Sequence, residues 1–245
     1  MSNCENPSDY QIVFYNENLR CTHIISTTPS IFRFANLAHA IARRVINTTS
    51  ETVFYNMSKE LKEIQSLLRS HANKKDEAFF KMMVPGKQIV YGVKTPILND
   101  IVKKYKAGSF ALAEELWKSA AQEERVIAIK ILEKTGKIDP DRLLKLFRKF
   151  STTIDNWAVC DGLGMQFLRG IVKTHDQEIF AIANEFNSSK NMWQRRLSLV
   201  MVEWYTRTNL HTTAIKKLVK TLENDEEYYV KKAIVWINRN FEKGK

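Results

Sequence analysis

Apolar residues recur at helical spacing almost without interruption from Ser58 onward. Three segments, LLKLFRKF, IFAIANEF and IKKLVKTL, align at a shift of 36 residues. Leu143, Ile179 and Ile215 coincide, as do Leu146, Ile182 and Leu218, then Phe147, Ala183 and Val219, and last Phe150, Phe186 and Leu222. All twelve positions are apolar. Within each copy they fall at i, i+3, i+4 and i+7, which is one face of a helix. Expected helix starts recur at the same shift, at Asp139-Pro140, His175-Asp176 and His211-Thr212. Glycine is sparse here, and no strand-like alternation bounded by turns interrupts the pattern, so it predicts an all-α chain.

Each of these helices precedes a second, more apolar one: NWAVCDGLGMQFL, MWQRRLSLVMVEWY and YYVKKAIVWI, with ERVIAIKILEK as an earlier copy. A helix that is apolar nearly all round must be covered on two sides. Stacked helix pairs of about 36 residues supply that cover, as in an α-solenoid. The tetratricopeptide consensus is missing, which favours HEAT-like pairs whose second helices line a concave surface. Residues 1–56 lack this pattern until SIFRFANLAHAIARRVI, so the expected division is an N-terminal extension over 1–56 and a helical-repeat domain over 57–245.

Charge sharpens the picture. Formal net charge is +11, from 38 basic and 27 acidic residues. Residues 1–56 hold four of each, so the whole excess falls on the repeat region. An excess of this size points to a polyanionic partner, nucleic acid or an anionic membrane surface. No apolar run spans a bilayer and the start MSNCENPSDY is not a signal peptide, which suggests an intracellular protein. The acid-free stretch between Glu17 and Glu51 shares a feature with transit peptides, leaving a targeting role for residues 18–50 open. Cys4, Cys21 and Cys160 form no C-x-x-C pair, and the five histidines have no ligand spacing, so neither a disulfide framework nor a metal site is expected.

The second helices carry a row at the repeat period: Arg125, Asp161, Arg196 and Lys232, separated by 36, 35 and 36 residues. Three cations in register could face a phosphate backbone, and a lone carboxylate among them would repel it. Asp161 therefore has either a salt bridge to Arg196 or Arg125, or a chemical use. Helix capping is left to Asp155, which is better placed for it. Trp157 lies one turn before Asp161, and Trp236 one turn after Lys232, so two indoles share the phase of the row, whereas Trp117, Trp193 and Trp204 read as core. A basic surface, one carboxylate and two cation-binding rings suit a ligand with an anionic backbone and a cationic point. Alkylated DNA is such a ligand. A charged purine leaves readily, and a carboxylate can stabilise the oxocarbenium ion left on the sugar and guide water to it.

At these residues the chain resembles the DNA alkylation-repair glycosylases of the AlkD type. The similar stretches are GVKTPILNDIVKKY (92–105), DNWAVCD (155–161), MWQRRLSLV (192–200) and YYVKKAIVW (228–236). The resemblance implies HEAT-like repeats around a cationic groove and hydrolytic excision of N3- and N7-alkylpurines from duplex DNA, without a metal or organic cofactor. By position it makes Asp161 the catalytic carboxylate, Trp157 and Trp236 the groove indoles, and Arg196 the essential phosphate-contacting arginine. Arg125, Lys232 and Arg195 are then expected to bind DNA. With no lysine in a nucleophile context, a monofunctional, monomeric glycosylase is expected. Two features depart from the family: the extension, and an end nine residues after Trp236 where the family usually adds a further repeat. Two other readings remain at this point. One is a non-catalytic repeat protein for damaged or branched DNA, and the other is a protein-interaction scaffold.

Overall fold

The computed structural model describes residues 59–105, 109–208 and 210–243. The chain divides into two units, Met1–Thr52 and Val53–Lys245, and everything described here belongs to the second. The expected extension over 1–56, with the segment 18–50, lies outside the described residues.

The fold is all-α, and its helix pairs stack in the manner of an α-solenoid. Helix α1 runs over residues 59–70, followed by α2 (Lys74–Met83), α3 (Thr95–Lys104), α4 (Phe110–Lys118) and α5 (Gln122–Thr135). The chain continues through α6 (Pro140–Ser151), α7 (Trp157–Gly162), α8 (Asp176–Asn187), α9 (Met192–Val200), α10 (Thr212–Thr221) and α11 (Tyr228–Lys243). Among the described residues the only extended pairing is a single bridge between Ile89 and Ala121.

The three recurring helix starts fall where their residues dictate. Asp139 caps α6, its side chain accepting from Arg142 N–H, and Pro140 occupies the first turn, where its missing N–H costs nothing. His175 and His211 sit at the N-caps of α8 and α10. Of the twelve aligned apolar positions, eleven are buried; Val219, in the last pair, is half-buried. The repeat period also governs the polar ties between pairs. Trp117 Nε1 donates to Thr153 Oγ1 across 36 residues, and Arg169 to Glu133 across 36. His211 meets Asp176 across 35, and Arg148 donates to Glu185 across 37. Each tie joins one pair to the next, which is how a solenoid distributes its cohesion.

Aromatic rings fill the seam between pairs. Trp117 stacks on Phe150 with centroids 4.2 Å apart, while Phe147 packs against both Phe167 and Phe186. Trp117 and Trp193 are buried in this core.

Helix α7 departs from the regular pattern. It ends after six residues and continues as a wider π-helical turn, Leu163–Phe167. Gly164 lies in that turn, and a Cβ added there would stand 2.6 Å from Val200 Cγ1 and 3.1 Å from both Leu197 Cδ1 and Met201 N. The absence of a side chain lets α7 and α9 approach closely just beyond the acidic residue of the row.

Candidate active site

The site begins at the turn that leads into α7. Asn156 caps the helix: its Oδ1 accepts from Val159 N–H at 3.0 Å, and its Nδ2 donates to Gln122 Oε1 and Asp155 Oδ1. Asp155 was the expected cap, but its carboxylate turns to Arg125, with Nη1 to Oδ1 at 2.9 Å. Asn156 takes the cap because its amide can accept from the helix and donate to two neighbours at once. This network fixes the direction in which Trp157 and Asp161 leave the turn.

Asp161 and Arg196 meet as the register of the row demands. Arg196 Nε donates to one carboxylate oxygen at 3.0 Å and Nη2 to the other at 2.9 Å, a bidentate fork. Its third arm, Nη1, donates to Tyr229 O at 2.6 Å, tying the pair to the start of α11. Of the two partners the spacing offered Asp161, Arg196 and Arg125, it is Arg196 that forms the salt bridge. The Asp161 side chain remains 25 % exposed and that of Arg196 only 8 %, so the face open to solvent belongs to the carboxylate. Burial pushes the Asp161 carboxyl above the ordinary aspartate range, and the two hydrogen bonds and charge of Arg196 pull it back only in part. Cys160, next in the chain, is fully buried, and the same desolvation drives its thiol well upward, which leaves it inert.

Trp157 is half-buried one turn before Asp161, and its Nε1 donates to Met83 O at 3.4 Å, so the carboxylate's helix touches the end of α2. Trp236 lies on α11, half-buried against the core. It is seven residues past Tyr229, and among the described residues no hydrogen bond or ring pair ties it to Asp161.

Three arginines expected at phosphate, Arg125, Arg195 and Arg196, have partners within the protein. Arg125 is 5 % exposed, lies over the Trp117 ring at 5.2 Å and gives its Nη1 to Asp155. Stacking and ion pairing hold this guanidinium inside the protein instead of at the surface. Arg195 reaches Asp225 with Nε at 2.6 Å and donates to Ser189 O and Lys190 O through Nη1. It clasps the turn before α9 to the turn before α11. Arg196 spends all three arms on Asp161 and Tyr229 O, so its place is behind the carboxylate. Of the row, only Lys232 stands exposed, with its ammonium 5.3 Å from the Tyr228 ring.

Two buried carboxylates escaped sequence reasoning. Glu123 accepts from the backbone N–H groups of Tyr91, Gly92 and Val93, and Glu124 accepts from Tyr91 Oη and Gln65 Nε2. Together they pin the loop before α3 to the start of α5. Two adjacent glutamates at a helix N-terminus were the available signal, but such residues are usually solvated there. Among the described residues no group of three or more His, Cys, Asp or Glu side chains could hold a metal ion.

Comparison with known proteins places this geometry. No curated protein matches the chain. A solved structure described as a "predicted DNA alkylation repair enzyme from Enterococcus faecalis" superposes with a TM-score of 0.62 at 18 % identity, covering 71 % of this chain and 84 % of that one. At that identity the likeness shows the fold alone. The family model for DNA alkylation repair enzymes matches residues 64–244, which include every residue of the site. On that match, the chain belongs to the DNA alkylation repair enzyme family.

Proposed function

We propose that the protein is a monofunctional DNA glycosylase of the AlkD type, hydrolysing the N-glycosidic bond of cationic N3- and N7-alkylpurines in duplex DNA and leaving an abasic site. The observation that carries this reading is a desolvated carboxylate, Asp161, held from behind by a two-pronged arginine and open on its other side. In the reaction the glycosidic bond breaks, and its electron pair goes to the departing base, which leaves neutral. Positive charge then develops on the sugar at C1′. A fixed carboxylate stabilises that charge without reorganising at the moment of bond rupture. Water adds at C1′ and gives a proton to Asp161, whose raised pKa makes it the better base. No acid is needed on the leaving side, because the base is already charged.

In this account Arg196 orients Asp161 and keeps it ionised, Trp157 and Trp236 contact the deoxyribose and its cationic surroundings, and Lys232 meets phosphate. Lys232 then belongs to a basic groove, and residues 57–245 act as a monomer inside the cell without metal or organic cofactor, with 1–56 as an extension. The test is incubation of the protein with methylated duplex DNA, followed by chromatography of released 7-methylguanine and 3-methyladenine. Free base with no borohydride-trappable adduct supports the proposal; a trapped adduct or no free base contradicts it.

A non-catalytic DNA-binding reading draws on one observation. The fork between Arg196 and Asp161 is also the arrangement a purely structural ion pair would adopt. Under that reading Asp161→Asn leaves DNA binding intact and there is no base release to lose.

A further inference from the structure

Helix α2 buries none of its residues, whereas every other described α-helix buries at least two. Phe80 is half-buried, and the other large apolar side chains of the helix face outward. Phe79, Met82 and Met83, at i, i+3 and i+4, share one face and are 61 %, 70 % and 53 % exposed. Ile89, past the turn at Pro85-Gly86, is 59 % exposed. Four of the eight large apolar side chains exposed among the described residues thus fall within eleven consecutive positions, 79–89. A patch this concentrated marks an interaction surface.

Two observations identify the occupant. The patch is continuous with the candidate active site, since Trp157 Nε1 donates to Met83 O at the tip of α2. Cations are also interleaved with it: Lys81 and Lys87 stand exposed between the apolar residues, and Lys75 precedes them. The nearby acids are both paired with lysines, Glu77 with Lys74 and Lys81, and Asp76 with Lys94. An apolar ridge edged by ammonium groups complements a surface with apolar sugar and base edges inside and phosphates outside. The minor groove of a DNA duplex has that layout, and Phe, Met, Ile and Pro are side chains that enter it and part a base step.

We propose that Phe79, Met82 and Met83 form a wedge that enters the minor groove next to the nucleotide held at Trp157 and Asp161, with Lys81 and Lys87 on the flanking phosphates. The wedge rests on the reading of the site as one that holds duplex DNA. It parts one base step beside the lesion and kinks the duplex toward its major groove, which opens the minor groove over the carboxylate.

The test uses the full chain and a duplex holding one 2′-fluorinated 7-methylguanine nucleotide, whose glycosidic bond resists hydrolysis, with 2-aminopurine placed in turn at each neighbouring position. Wild type should brighten the reporter several-fold at one position. The double variant F79S/M82S, which alters only exposed side chains, should retain the wild-type melting temperature and bind the duplex while leaving the reporter dark. Equal brightening by wild type and variant overturns the wedge, as does tight binding by wild type without brightening. If base release from ordinary methylated DNA persists in either of those cases, the wedge alone has failed. If wild type binds no duplex even at low salt, the reading of the site falls with it. A wild-type dimer that F79S/M82S converts to monomer would assign the face to a second copy. Wild-type binding to anionic phospholipid vesicles with no reporter response would assign it to a membrane. Both results also overturn the proposal.

Discussion

The close approach of α7 to α9 makes Gly164→Ala a sensitive probe of how the site is held together. The added methyl would stand 2.6 Å from Val200 Cγ1 and 3.1 Å from Met201 N, against the roughly 3.5–4.0 Å of relaxed carbon contacts. Val200 is β-branched and cannot rotate away freely, and the Met201 nitrogen is backbone, so the helices must separate by a large part of an ångström. Overpacking of this kind costs about 1–3 kcal/mol. Replacing glycine in a helical turn returns up to about 1 kcal/mol. The net loss should therefore be about 0–3 kcal/mol, which lowers the melting temperature by up to about 10 °C at roughly 2–4 °C per kcal/mol. The functional effect should be larger. Arg196 lies one turn before Val200, so the separation lengthens the 3.0 and 2.9 Å bonds of its fork, and a 1 Å misplacement at a reacting centre can cost on the order of 100-fold in rate. Calorimetry and single-turnover base release measure the two effects. Gly162→Ala is the control, because its Cβ would meet only Ile129 Cδ1 at 3.3 Å, the movable end of a side chain. If Gly164→Ala melts and reacts like wild type, the seam does not set the fork and the reasoning fails.

Three further outcomes follow from the same geometry. Arg196→Lys replaces the fork with a point charge, removing part of what holds the Asp161 carboxyl down, so its pKa rises and the acid limb of the pH–rate profile should move to higher pH; an unmoved limb would show that Asp161 is not the titrating group. Arg195→Ala should lower stability by about 1–3 kcal/mol, through loss of charge-assisted hydrogen bonds to Asp225 and the Ser189–Lys190 turn, without changing the salt dependence of DNA binding; a shallower salt slope would place Arg195 on phosphate. Lys232→Ala should leave stability unchanged and reduce the log–log salt slope of duplex affinity by about 0.9, measured by anisotropy titrations over a range of salt; an unchanged slope would remove Lys232 from the DNA contacts.

Much of the fold is legible in the sequence because each repeat must bury the same helical positions, so Leu143, Ile179 and Ile215 announce a common role before any coordinates exist. The same register brings Asp161 to Arg196, and reading equivalent positions on neighbouring second helices narrowed its possible partners to Arg196 and Arg125. The register says nothing about depth. Arg125 and Arg196 share a phase with Lys232, yet a carboxylate or ring within reach draws each of them inward: Asp155 and Trp117 for Arg125, Asp161 for Arg196. Those partners lie about 30 residues away or belong to another helix, and only the packed structure brings them close. The π-helical turn at Leu163–Phe167 was equally hidden, since a fixed 3.6-residue period has no place for a widened turn. Gly162 and Gly164, two glycines directly after the carboxylate, were its one visible trace. The exposed face of α2 was hidden for the opposite reason: KKDEAFFKMM has the makings of an ordinary amphipathic helix, and nothing local in it says that the apolar side has no core to meet.

Whether Asp161 acts on the sugar is decided by comparing wild type with Asp161→Asn on one methylated duplex, reading both base release and affinity. The variant should bind the duplex as tightly as wild type while its release of 7-methylguanine and 3-methyladenine falls on the order of 10²–10³-fold, the loss expected when one preorganised electrostatic group is removed. Release by the variant at the wild-type rate would show that the carboxylate gripped by Arg196 holds the fold together and does not act on the sugar.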